Sequence, residues 1–214
     1  MDINKAVNDI GDFQFNNNEI HFDNMGSACK GFRILQEGKR VIIHNCSFEN
    51  LPNQGQNDPW ETTISANKLA SITIEQCTFT ECGNGGNVIA IQADVTRAVI
   101  QNSSITFANS NSCASGISLF IDNAAIIGNT ITRCNENSVR IECKGNGDQF
   151  ELIDNHFTGC NHGYIIRVYN QFSSTPIIRG NTFKDINQGG VLMSFKITND
   201  VGFIEFDNNT FNNI

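Results

Sequence analysis

Four times in succession an apolar residue returns after 26 positions: Phe79, Ile105, Ile131, Phe157 and Phe183. Each holds the same place in a short unit, read most easily at Ile178–Ile186 as IRGNTFKDI. A small polar residue and a hydroxyl residue lead into the apolar anchor, and another small or apolar residue follows three positions later. The unit also fits Ile20 and Phe48 at steps of 28 and 31 residues, and Phe211 at a final step of 28. A recurrence at roughly 20–50 residues means that one supersecondary unit is stacked on copies of itself. Such a chain buries its core between neighbouring repeats rather than inside any one of them.

The period inside the unit decides between helical and β repeats. Segments such as Ser138–Cys143 (SVRIEC) and Val191–Ile197 (VLMSFKI) alternate apolar with other residues, as a strand does. Gly, Asn and Ser recur every eight to ten residues, which leaves no length for ordinary helices. The expected fold is all-β: a parallel solenoid of about seven coils with three short strands per coil. At ~4.8 Å between stacked strands the rod would be on the order of 35 Å long. The chain has 31 Asn and only 3 Pro. Asn accepts the left-handed backbone region that tight, repeated turns demand.

The ends differ from the middle. Val7, Ile10 and Phe13 recur every three residues, which predicts one short helix and an N-terminal cap over residues 1–15, with the solenoid domain over 16–214. A cap would cover the first coil, whose apolar side chains and strand edge are otherwise open. Leu51–Trp60 (LPNQGQNDPW) accounts for the 31-residue step and is expected to bulge as a loop. The chain stops at Ile214, an inward-type position.

Aligned by anchor, the columns acquire roles. Three residues after the anchors come Leu51, Cys82, Ala108, Cys134, Cys160, Ile186 and Ile214, expected to face inward. Two before them come Asn18, Cys46, Cys77, Ser103, Asn129, Asn155, Asn181 and Asn209. Amides in register on successive coils can bond along the stack, here to backbone groups that a turn would leave buried and unpaired. One before and one after the anchors run Thr/Ser files: Thr78, Ser104, Thr130 and Thr182 on one side, Thr80, Thr106, Thr132 and Thr158 on the other. If the anchors point in, these point out. They form the candidate ligand-binding face, interrupted by Glu49, His156 and Lys184.

The period, the Asn column at a turn and the stacked aliphatic and aromatic columns resemble those of right-handed parallel β-helices of the pectin-lyase-like superfamily, over about residues 15–214. Within that class, Cys77–Ile91 (CTFTECGNGGNVIAI) and Asn181–Phe195 (NTFKDINQGGVLMSF) resemble the repeats of polymorphic-membrane-protein-type surface proteins, which carry F-x-x-N and Gly-Gly-apolar motifs. Only Gly85–Gly86 and Gly189–Gly190 keep the Gly pair, and Phe48–Leu51 and Phe157–Cys160 lack the Asn. The resemblance implies either a surface module or a polysaccharide lyase or hydrolase working with clustered carboxylates. Against the enzyme, no Asp-Asp pair occurs. Asp122 and Asp148 share only an offset of 17 residues from their anchors. His162–Gly163 followed by Arg167 resembles in part the Gly-His-Gly and Arg-x-Lys elements of the hydrolases. Asn161 and Tyr169 stand where a Gly and a Lys are required.

The remaining chemistry is sparse. None of the eight cysteines forms a C-x-x-C pair, so no zinc site is expected. Cys46/Cys77 and Cys134/Cys160 share columns on neighbouring coils, but parallel Cβ vectors suit a disulfide poorly, and free core thiols are expected. Net charge is −8 with no basic run longer than Lys39–Arg40, which argues against nucleic acid. No apolar run approaches the roughly 20 residues that span a bilayer, and no signal peptide is visible at the start. Either the protein is intracellular or the chain is cut from a longer secreted one. Asn45, Asn102 and Asn208 begin N-x-S/T sequons in one column and would carry glycans on a secreted eukaryotic chain.

The expectation is therefore a non-catalytic extracellular or cell-surface module for adhesion, assembly or carbohydrate contact, without metal or cofactor. Its partners would be a glycan, or another copy through the solenoid ends. The alternatives are a lyase or hydrolase of this fold, and an ice-binding protein acting through its Thr/Ser files.

Overall fold

The computed structural model describes residues 2–3, 13–21, 32–35, 39–49, 63–82, 87–91, 95–107, 115–121, 123–134, 137–142, 149–160, 164–169, 175–186, 191–196 and 203–214. Their regular structure is entirely short strands, arranged in three parallel sheets of eight strands each. Every third strand joins the same sheet, so the chain winds through the sheets in turn and each circuit is one coil.

The first sheet runs from Asp2–Ile3 through Phe32–Leu35 and Ile64–Asn67 to Val191–Lys196. The second runs from Phe13–Asn16 to Glu205–Asp207, and the third from Glu19–His21 to Thr210–Asn212. The eight strands per sheet exceed by one the seven coils expected from sequence. The third sheet has one strand for each of the eight anchors, Ile20 to Phe211, and what differs at the N-terminus is the local structure. Asp2–Ile3 pairs with Arg33–Ile34, and Phe13, expected on a helix, opens a strand paired with Val41 and its neighbours. The strand edge of the second coil supplies the pairing partner of Phe13–Asn16. Val7, Ile10 and the loop expected at Leu51–Trp60 lie outside the described residues.

Register is what stacks the columns. Ile20, Phe48, Phe79, Ile105, Ile131, Phe157, Phe183 and Phe211 are successive pairing partners in the third sheet. The six from Phe48 to Phe183 are buried. Their rings stack face to face: Phe48 on Phe79 at 5.0 Å, Phe157 on Phe183 at 5.0 Å, and Phe183 on Phe211 at 5.2 Å. A second internal file, Phe15, Ile43, Ile74, Ile100, Ile126, Leu152, Ile178 and Phe206, belongs to the second sheet. The first sheet contributes Ile34, Ala66, Ile91, Leu119, Ile141, Val168 and Phe195 in register. The buried members of these files make one continuous core, with Phe15 and Phe195 packed against it.

The corner between the second and third sheets never varies. Five residues separate the second-sheet file from the anchor in every coil, from Phe15 to Ile20 through to Phe206 to Phe211. In each corner one residue takes the left-handed conformation: Asn17, Asn45, Gln76, Asn102, Gly128, Asp154, Gly180 and Asn208, with φ between 51° and 69°. At two of these places a Cβ would also crowd a neighbouring side chain, Asp154 Oδ1 at Gly180 and Asn102 Oδ1 at Gly128, which would have to turn away.

Candidate functional site

The residue after each left-handed corner turns inward and carries the ladder. Asn155 shows the pattern. Its Oδ1 accepts from the backbone N–H of Asn129 at 2.9 Å and from Asn129 Nδ2 at 3.0 Å, while its own Nδ2 donates to Ile126 O at 2.8 Å and Ile153 O at 3.0 Å. Asn129, Asn181 and Asn209 repeat this, each serving the coil before it. Asn129, Asn155 and Asn181 are fully buried, so the amides satisfy backbone groups that water cannot reach. Toward the N-terminus the same place is held by smaller donors. Ser103 Oγ accepts from Cys77 N at 3.1 Å, and the thiols of Cys77 and Cys46 point to Ile43 O and Phe15 O at 3.5 and 3.3 Å. The column read from sequence as an Asn ladder is therefore a mixed amide, hydroxyl and thiol ladder with one hydrogen-bond polarity.

The five described cysteines, Cys46, Cys77, Cys82, Cys134 and Cys160, are free and buried, as expected of core thiols. Burial raises the Cys77 and Cys160 thiols from the usual 9.0 to about 11, with the neighbouring Cys46 and Cys134 adding to the rise. They are protonated at neutral pH and unsuited to act as nucleophiles or thiolate ligands.

The third sheet turns its other face to solvent. Strands Thr78–Thr80, Ser104–Thr106, Thr130–Thr132, His156–Thr158 and Thr182–Lys184 pair in register, each with a buried middle residue. Thr78, Thr80 and Thr130 are exposed, and Ser104, Thr106, Thr132, Thr158 and Thr182 half-buried. All eight residues named from sequence therefore share one outer face, in two parallel files. Spacing along the axis is that of neighbouring strands, ~4.8 Å. The hydroxyls also meet each other: Thr78 Oγ1 donates to Ser47 Oγ at 3.1 Å.

Sequence reasoning missed two features beside this face. The first is the left-handed corner, an exposed row of short polar side chains along one edge. Asn45 Nδ2 donates to Asn17 Oδ1 at 2.7 Å across two coils. The column Asn, Asn, Gln, Asn, Gly, Asp, Gly, Asn was the available signal, since these are mostly residue types that tolerate positive φ. The sequon residues Asn45, Asn102 and Asn208 all sit exposed in this row. The second is a run of apolar residues on the outer face of the second sheet: Val99, Ala125, Ile127, Ile153 and Ile177, of which Ala125 is buried and the others half-buried. The doublets Val99–Ile100, Ile126–Ile127 and Leu152–Ile153 signalled it, because consecutive apolar residues in a strand load both faces.

Of the enzyme-like residues, Asp122, Asp148 and His162 lie outside the described set, and Arg167 pairs in register with Arg140 in the first sheet. Among the described residues no group of three or more His, Cys, Asp or Glu could hold a metal ion. No helix among them is long and apolar enough to cross a membrane.

No curated protein and no solved structure matches this chain. The family described as the right-handed β-helix region matches residues 62–214, more than two thirds of the sequence. With three parallel sheets, one polar ladder and stacked internal files already evident, the chain belongs to the right-handed β-helix family.

Proposed function

We propose that the chain is a non-catalytic β-helix module that holds an extended neutral glycan along the outer face of its third sheet. The observation that carries this reading is the in-register hydroxyl pair offered by successive coils over Thr78–Thr80, Ser104–Thr106 and Thr130–Thr132, with Thr158 and Thr182 extending one file each. Each hydroxyl is one donor and two acceptors, which suits a partner that itself repeats hydroxyls along a line. Each contact contributes only about 0.5–1.5 kcal/mol, so affinity grows with the number of coils engaged. The net charge of −8 disfavours polyanionic chains such as polyuronates. A role at a cell surface or outside the cell fits such a ligand and is part of the proposal.

The test is titration with a panel of neutral and acidic oligosaccharides of increasing length, followed by calorimetry. Longer neutral chains should bind more tightly than short ones. The pair Thr130→Val and Thr132→Val should weaken binding about tenfold, from the loss of two hydrogen bonds. Valine suits an outward strand position, so the thermal midpoint should hold. A panel without binding, or binding indifferent to the pair, refutes the reading. Cleavage of a polyuronate would establish the lyase or hydrolase alternative instead.

A further inference from the structure

We propose that the chain assembles head to tail, the C-terminal coil of one copy receiving the N-terminal coil of the next. This stands independently of the glycan face. Among the described residues the exposed large hydrophobics are Phe203, Phe206, Phe211 and Ile214, at 66, 49, 42 and 61%. All four belong to the last coil. Phe206 and Phe211 continue the internal files of Ile178 and Phe183.

The occupant is indicated by the ladder. From Cys77 to Asn181 the column backbone N–H is taken by the side-chain oxygen of the next coil, as Asn155 N is by Asn181 Oδ1 at 2.9 Å. The second-sheet carbonyl is likewise taken by the next coil's Nδ2, as Ile178 O is by Asn209 at 2.9 Å. By the same register, a further coil's amide would bond to Asn209 N–H and Phe206 C=O at the C-terminal end. The side chain built to supply it sits at the same column of the first coil, as Asn18. Asn18 is half-exposed where Asn129, Asn155 and Asn181 are fully buried, and its neighbours Asn16 and Asn17 are exposed.

A tail-to-tail dimer brings no such amide, since both copies of Asn209 point back into their own coils. Head to tail, register places Phe195 with Ile3, Phe206 with Phe15 and Phe211 with Ile20. Flanking pairs are Glu205 with Gln14, Asp207 with Asn16 and Thr210 with Glu19, with no like charges opposed. A contact of this kind is heterologous and does not close, so it yields an open series rather than a fixed oligomer.

The test uses the 214-residue chain and sedimentation across a concentration series. The wild type should gain mass beyond the dimer as concentration rises. Phe211→Lys blocks one end and Asn18→Lys the other, so each alone should remain a monomer. Mixed in equal amounts they should form a one-to-one pair and nothing larger. Circular dichroism and the thermal midpoint check that both fold, and Phe206→Lys replaces Phe211→Lys if that variant does not. A wild type that stays monomeric throughout overturns the proposal and leaves the end to some other chain. So does dimerisation of Asn18→Lys by itself, which would mean tail-to-tail association.

Discussion

Asn155 concentrates the residue-scale logic of this fold. Its amide makes four hydrogen bonds of 2.8–3.0 Å to neighbours in and before its coil. Replacing it with Leu keeps the volume and leaves the Asn129 N–H and the Ile126 carbonyl buried without partners, at about 1–3 kcal/mol for each such group. Denaturant unfolding should therefore show a loss of several kcal/mol for Asn155→Leu. Asn155→Ser should cost less, because Ser103 already fills the same column and accepts from Cys77 N. A Leu variant as stable as the wild type would mean that the ladder contributes little. This column was legible in the sequence because a polar residue at a fixed offset from a buried anchor has few other uses. The corner residue beside it was read only in part, through the Asn richness and the shared column of Asn45, Asn102 and Asn208, because Gln76, Gly128, Asp154 and Gly180 vary the residue type.

The elements show where the period informed and where it misled. The four regular steps of 26 residues do not reflect four identical coils. From the anchor to the first-sheet file the chain uses twelve, fourteen, ten and eleven residues in turn, and from there to the second-sheet file nine, seven, eleven and ten. The two connections compensate, and only the five-residue corner is constant. The repeat thus located the third sheet and its outer hydroxyls accurately, while the apolar outer face of the second sheet stayed hidden behind a shifting offset. The corner should be correspondingly intolerant. Gly180→Ala places a Cβ at φ +69° and against Asp154 Oδ1. The backbone strain should cost about 1–2 kcal/mol, and thermal unfolding should show it. Gly180→Asn should cost less than Ala, since Asn occupies the same place at 17, 45, 102 and 208 without a fold-wide penalty.

At the scale of the whole molecule, the core is one file-built body, so anything charged inside it is charged against all of it. Cys77 and Cys160 are held near 11 by burial, above the 9.0 of an exposed thiol. Between those values the unfolded chain has already released the protons that the folded chain retains. The folded state then binds more protons, and stability must fall as pH rises. Urea midpoints measured from pH 8 upward should be flat at first and decline between about pH 9 and about pH 11. Cys77→Ala and Cys160→Ala together should shrink the decline, whatever they do to stability at neutral pH. The first coil was legible from its anchor Ile20, although the expected count of seven fell one short of the eight anchors. Residues 2–3 and 13–21 carry only part of the repeat unit and gain their strands from the coil above.

The invariant corner also makes the molecule modular in a way its uneven connections conceal. Because every coil enters the third sheet through the same five-residue step, a gene cut at equivalent points in two corners, just after Gly128 and just after Asp154 for instance, releases one complete circuit. Splicing such a cassette in or out lengthens or shortens the rod by one layer. Every joint then meets a partner with matching donors, acceptors and apolar stacks.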